Sequence, residues 1–288
     1  MENPAFHRCA RAAACLIACA LLLAAPRAGA RATPSRAFND LNSMRVLAGV
    51  PRVKTFPGRL NRGCRMHNRY MHATGRFGHT ERRGSAFYSR SGARAAAASV
   101  IAQPSALPSA AWGDTVYHRL AMLQPRLRRS GYSGSYGYAC LQVLSGIGAS
   151  RASRVELYSW PPNGAVGLNP VFDANESPDP LADAPGATDL GTPITVNLNG
   201  PWKNWRLARS SVTSATLVSD LGAPVPLSIA DMSAANAAYL QGGFALLPRA
   251  ALAENTGYTV TAQGYAVYGE QTWPFELTTR FTTGAAPY

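Results

Sequence analysis

The sequence predicts an α+β domain followed by an all-β antiparallel sandwich. Three observations carry that expectation. Apolar residues at helical spacing are concentrated before residue 150, short β-type runs dominate after it, and the charge changes sign between the two stretches. From Arg31 to Arg154 there are 20 basic residues against three acids, net +17; from Val155 to Tyr288 there are five against eleven, net −6. The expected boundaries are 1–30 for an export leader, 35–150 for the α+β domain and 155–288 for the sandwich.

After a short polar tail at 31–36, Phe38, Leu41, Met44 and Ala48 fall at i, i+3, i+6 and i+10. That stripe predicts a helix ended by Gly49 and Pro51. Leu60, Cys64, His67 and Met71 give a second helix, stopped by Gly75. The run from Ala93 to Ile101 favours helix. Asp114 can cap a further helix through Met122, which Pro125 stops. Gly131 to Leu144, with Tyr132, Tyr138, Leu141 and Val143, reads as strand with a Gly-rich turn. Ala149 to Arg154 is a small-residue linker. Beyond it, Ile194–Leu198, Ala215–Val218, Phe244–Leu247, Tyr258–Ala262 and Phe275–Phe281 are strand-like runs between Gly, Pro and Asn, and only Ala234 to Leu240 retains a helical signal.

Arg8 and Arg11 precede an apolar run from Ala12 to Ala25 and a small-residue end at Ala28-Gly29-Ala30, the pattern of a secretory signal peptide cleaved near Ala30. The run is shorter than the ~20 residues of a membrane span, so no integral membrane protein is expected. Lipidation at Cys19 stays open as an alternative. Secreted or periplasmic residence follows, and with it an oxidising compartment. The mature chain keeps two cysteines, Cys64 and Cys140, most simply one disulfide, with two separate buried thiols as the alternative. Closing a loop of about 75 residues would stabilise by roughly 4 kcal/mol on the chain-entropy model.

A +17 segment points to an anionic partner. Export favours an envelope polymer or lipid over nucleic acid, which is not expected in vivo. A plainer reading is coding bias, since 26 of the 28 basic residues are Arg.

One stretch is more specific than composition. Phe77-Gly78-His79 is followed by Trp112, then His118-Arg119 after five residues, a short apolar run at Leu120–Leu123, Pro125 and Gly131-Tyr132. This arrangement resembles the bacterial CAP superfamily, the cysteine-rich secretory, antigen 5 and pathogenesis-related proteins, over roughly residues 35 to 150. The resemblance implies an α-β-α sandwich, and a cleft holding two histidines, matched by His79 and His118, usually with two carboxylates and a weakly held divalent cation. It also implies a family in which many members have no demonstrated chemistry. The closing motifs Tyr258-Thr259-Val260 and Phe281-Thr282-Thr283 are similar to the last strands of a bacterial Ig-like domain. Glu176-Ser177-Pro178-Asp179-Pro180 resembles the segment that follows CAP domains in two-domain bacterial proteins.

The carboxylates are where the chain departs from the family. Ala98 or Ser99 stands where a Glu is usual, and Asp114 is the nearest acid to the second position. Two histidines are a poor metal site, because zinc wants three or four protein ligands, so no resident cofactor is expected beyond weak divalent binding at His79 and His118. Glu81 is a candidate base beside His79, or a partner for Arg76, Arg82 or Arg83. His67 is expected in the core and His72 on the surface. Asp173, Glu176, Asp179 and Asp183 read as a solvated acidic loop. No G-x-S-x-G, H-E-x-x-H, P-loop or dinucleotide glycine pattern occurs. The sequence therefore favours a secreted, non-enzymatic protein binding an anionic or amphiphilic envelope component. Alternatives are a degenerate hydrolase using His79 and His118, and a lipid or sterol carrier.

Overall fold

The computed structural model describes residues 32–286. The proposed leader and Cys19 lie outside them. From Ala32 onward the chain forms one compact unit. Its elements run α1 (Pro34–Leu47), α2 (Gly58–Thr74), α3 (Arg90–Ala96), β1 (Ser99–Ala102), α4 (Pro108–Trp112), α5 (Tyr117–Met122), β2 (Tyr132–Ser135) and β3 (Tyr138–Gln142). Then come β4 (Glu156–Trp160), β5 (Ala165–Leu168), β6 (Val171–Phe172), β7 (Leu190–Gly191), β8 (Ile194–Asn199), β9 (Arg209–Ser219), β10 (Leu227–Ala230), β11 (Phe244–Pro248), β12 (Gly257–Tyr268) and β13 (Gln271–Thr283).

In the first segment the three-stranded sheet has the order β1-β3-β2, all antiparallel. Strand β3 shows why helices cover both faces. Ala139, Leu141 and the following Val143 join one core with Leu41, Met44, Trp112 and Met122, while Tyr138 and Cys140 join Cys64, Met71 and Ile101 on the other. Alternating side chains thus serve α1, α4 and α5 on one side and α2 on the other, which is an α-β-α sandwich. Cys64 and Cys140 are bonded, with Cα atoms 5.3 Å apart, so the covalent link joins α2 to the central strand. Gly131 is required where β2 begins, because a Cβ there would collide with the backbone of Leu60.

Several local expectations are corrected. The tail at 31–36 already enters α1, with Thr33 as N-cap accepting from the Arg36 N–H and Pro34 in the first turn. The 93–101 run splits. Its alanines end α3, but Val100 and Ile101 pair with Leu141 and Cys140 as β1, since β-branched residues are better placed on a pleated sheet than in a helix. At 234–240 only a single 3₁₀ turn forms, over Ala237–Tyr239.

The second segment packs two four-stranded sheets, β10-β11-β8-β4 and β5-β13-β12-β9. Val196, Leu198, Phe244 and Leu246 from one meet Val260, Phe275 and Phe281 from the other, giving the sandwich core. A third cluster ties the segments together: Val116, Tyr117 and Leu120 of the α5 region pack with Phe172, Leu190, Leu240, Ala245 and Leu247.

Polar bonds follow the same seam. The fully buried Arg119 guanidinium donates to Thr195 Oγ1 (3.0 Å), Pro193 O (2.7 Å) and Gly113 O (2.9 Å). Arg126 donates to the carbonyls of Trp202 and Lys203, and Asn197 donates to Leu120 O. Arg45 is also interior, spanning Pro51, Met122 and Gln124 carbonyls. Burial pushes the Arg119 guanidinium down to about 10, and burial with the nearby Arg128 pushes Arg45 down to about 9. Three of the basic residues that suggested a charged surface therefore belong to the interior.

Candidate functional site

Helix α5 carries His118 into a cleft, and its N-terminus is capped from far along the chain. Asp114 does not cap it: the residue before the helix is Val116, and no side chain of the first segment bonds there. Glu176 does so instead. Its Oε2 accepts from the Val116 N–H (2.7 Å) and its Oε1 from the His118 N–H (2.8 Å). The first-turn N–H groups of a helix have no partner of their own, so a carboxylate there satisfies two of them at once. This corrects the reading of a solvated acidic loop at two of its four acids, Glu176 and Asp183, while Asp173 and Asp179 are exposed as expected. The Glu176 side chain is fully buried, and Asp183 is buried too, accepting the Tyr117 hydroxyl proton at 2.6 Å. Burial, and then that bond to Asp183, pushes the Tyr117 phenol upward.

The same carboxylate faces the imidazole. His118 Nδ1 lies 2.6 Å from Glu176 Oε1, an ion-pair distance. The alignment is not that of a hydrogen bond, and Nδ1 has no hydrogen-bond partner.

His79 follows α2 on a loop and meets the end of α3. Its Nδ1 donates to Ala96 O at 2.9 Å, which fixes the neutral tautomer and leaves the lone pair on Nε2. The residue keeps an open face to solvent. Its packed neighbours still hold it below the usual histidine value, chiefly by desolvation and, less strongly, by the charges of His118 and His67, against the opposing bond to Ala96. His79 is therefore a neutral imidazole at pH 7, with a basic nitrogen to offer.

His79 and His118 line two adjoining cavities. One, of about 450 Å³, includes Phe77, Trp112, Thr115, Asn175 and Glu176. The other, of about 390 Å³, runs between the two segments. Trp112 is held under the first by its indole N–H to Ile101 O (3.3 Å).

Glu81 is placed elsewhere. Its Oε1 lies 3.0 Å from His67 Nδ1, both side chains are fully buried, and its Oε2 accepts from the Ser89 N–H. His67 Nε2 is 2.9 Å from Gly78 O. The pair fastens the 78–89 loop to α2, and the partner of Glu81 is a histidine and a backbone N–H instead of the expected arginine. His67 is the satisfied core residue the sequence suggested, and His72 is exposed.

Among the described residues no three His, Cys, Asp or Glu side chains gather so as to hold a metal ion. His79 and His118 could offer two nitrogens, and Glu176 has both oxygens committed to the backbone. Both histidines named from the family resemblance line these cavities, and Glu176, read as part of a solvated loop, lies beside one of them. The available signal was the carboxylate deficit of the first segment, set beside an acidic Pro-rich stretch just downstream.

A helix–sheet–helix segment with a helix-to-sheet disulfide and two histidines at one cleft defines a class. Residues 38–143 match the model of the Cysteine-rich secretory protein family, and this segment is a CAP domain. No curated protein matches the chain significantly. No helix among the described residues is long and apolar enough to cross a membrane.

Proposed function

We propose that this is an exported, non-enzymatic CAP-domain protein that holds an anionic envelope polymer on the arginine face of α2, with an Ig-like second segment as spacer. One observation carries the reading. Arg59, Arg62, Arg65 and Arg69 recur at three- and four-residue spacing on α2, all exposed, and none has a hydrogen-bond or ion-pair partner among the described residues. Spacing of this kind puts them on one face, spread over about 15 Å at 1.5 Å rise per residue. Arg82, Arg83, Arg90 and Arg94 are also exposed, and the acid nearest in sequence, Glu81, is spent on His67. Arg69 lies over the Phe87 ring at 5.7 Å. The disulfide between Cys64 and Cys140 fits an oxidising compartment.

The test is binding of the whole chain to dextran sulfate across a salt series. Multiple arginine contacts release counterions, so affinity is expected to fall steeply with salt, and to fall at least about tenfold when Arg59, Arg62, Arg65 and Arg69 are all changed to Gln. Salt-independent binding, or an unchanged affinity in the quadruple variant, would sink the reading.

The pairing of His118 with Glu176 supports a second reading, a hydrolase in which His118 acts as general base beside the neutral His79, with weak divalent-cation uptake by the two rings. Turnover of small ester substrates that disappears in His118→Ala is its expected signature. Turnover that survives that substitution, or none in the parent protein, removes it.

A further inference from the structure

We infer that the cavity between β1, α5 and the Tyr239–Gln241 turn is a binding site for a small neutral molecule carrying a secondary amide. The inference rests on neither the arginine face nor turnover by His118. The cavity, of about 390 Å³, is of the size that holds a small organic ligand. Its walls come from both segments: Ser99, Val100 and Ala121 on one side, Pro178, Tyr239 and Gln241 on the other.

Two of its wall residues carry a buried polar atom with no partner, Ser99 Oγ and Gln241 Oε1; His118 Nδ1 also lacks an aligned hydrogen bond but is closed off by Glu176 Oε1 at 2.6 Å. Buried polar groups are nearly always paired, and leaving one unpaired costs free energy. Two around a single cavity point to something that enters it. Ser99 is 8% exposed, so ordinary solvent does not serve it. Gln241 is also held in the left-handed region, at φ 56°, a strained position for a residue with a side chain, and its carbonyl accepts from Gln124 Nε2. The turn is thus fixed where it presents the amide.

The wall chemistry selects the ligand. No Arg, Lys, Asp or Glu side chain lines the cavity, and the Tyr117 hydroxyl is already given to Asp183. A charged molecule would find no counter-charge beyond the histidines. Val100, Ala121, Val143, Leu144 and Pro178 offer apolar surface for a hydrocarbon body. Gln241 Oε1 needs a donor and Ser99 Oγ–H needs an acceptor. A secondary amide supplies both in one rigid plane, where an ester supplies only the acceptor.

The experiment is calorimetric titration of the whole chain with N-cyclohexylacetamide, its ester counterpart cyclohexyl acetate, and charged cyclohexanecarboxylate. The amide is expected to bind about tenfold more tightly than the ester, because the ester leaves Gln241 Oε1 unpaired, and the carboxylate more weakly still. Ser99→Ala should weaken amide and ester alike. Gln241→Met should erase the preference for amide over ester. If that variant does not fold, Gln241→Asn serves, since Asn tolerates the left-handed backbone and its shorter side chain withdraws the acceptor. Equal binding of amide and ester by the parent protein, a preference that survives at Gln241, or no binding of the amide at millimolar concentration would each overturn the proposal. Failure of the dextran sulfate experiment would remove the polymer-binding reading and leave this inference untouched.

Discussion

Helices α2 and α5 lie in the same domain and both carry arginine, yet they treat it in opposite ways. On α5, Arg119 is fully buried and every bond it makes ends on an uncharged oxygen, two of them in the second segment. On α2, four arginines face solvent with no bonded partner among the described residues. A net charge of +17 therefore conflates two uses of one residue type. The planar guanidinium, with five donors, is suited to gathering carbonyls at a seam, and its long stem carries apolar contact as well. The same group left in water acts by its field and contributes little to stability. Charge alone does not distinguish them; the acceptors nearby do.

The sharpest way to break the comparison is at Arg119. Arg119→Ala should destabilise the chain by about 3 kcal/mol or more, since it empties a buried site and strands Pro193 O, Gly113 O and Thr195 Oγ1. Arg69→Ala, on the exposed face, should change stability by no more than about 0.5 kcal/mol. Denaturant midpoints for the two variants measure the contrast, and comparable losses would show that α2 is also held by its arginines.

Glu176 comes next. Glu176→Ala removes the cap on α5 and should cost about 1–2 kcal/mol, in the range of N-cap losses. It should also loosen the Nδ1 side of His118, visible as a change in the imidazole NMR signals. Glu176→Gln keeps the shape and one acceptor, and should cost less. Identical midpoints for Glu176→Ala and the parent would mean that water caps α5 equally well.

How far these features were legible in the sequence depends on how local their causes are. Helices α1 and α2 could be read because their burial pattern repeats every three to four residues within one segment, and β8, β9, β11, β12 and β13 because their apolar runs are bounded by Gly, Pro and Asn; β4, β5 and β10, short and partly exposed, were not read. Strand β1 could not, because Ala95 to Ala98 carries the helical preference up to its first residue and only pairing with β3 decides the rest. The cap on α5 was misplaced onto Asp114, a neighbour in sequence, when the acid that serves lies 58 residues beyond His118. His79 and His118 were named because the family resemblance implies a two-histidine cleft, and they do line one cleft. The orphaned atoms of Ser99 and Gln241 depend on what fails to reach them in three dimensions, and no linear pattern records that.

The smallest expected effect separates the two cleft histidines. The folded chain holds His79 below its ordinary value near 6.5, so the unfolded chain takes up that proton more readily. The resulting stabilisation is complete above pH 6.5 and is lost as pH falls from there through the folded value. His79→Gln, which cannot titrate, should lose less stability than the parent protein between pH 7 and pH 5. His67, His72 and His118 are present in both proteins, so the difference between the two melting profiles reports His79 together with its coupling to His118 and His67. Because the ring keeps an open face, the difference should be a small change in slope. Superimposable profiles would mean that His79 is as well solvated folded as unfolded, and the desolvated side of the cleft would then rest on His118 and Glu176 alone.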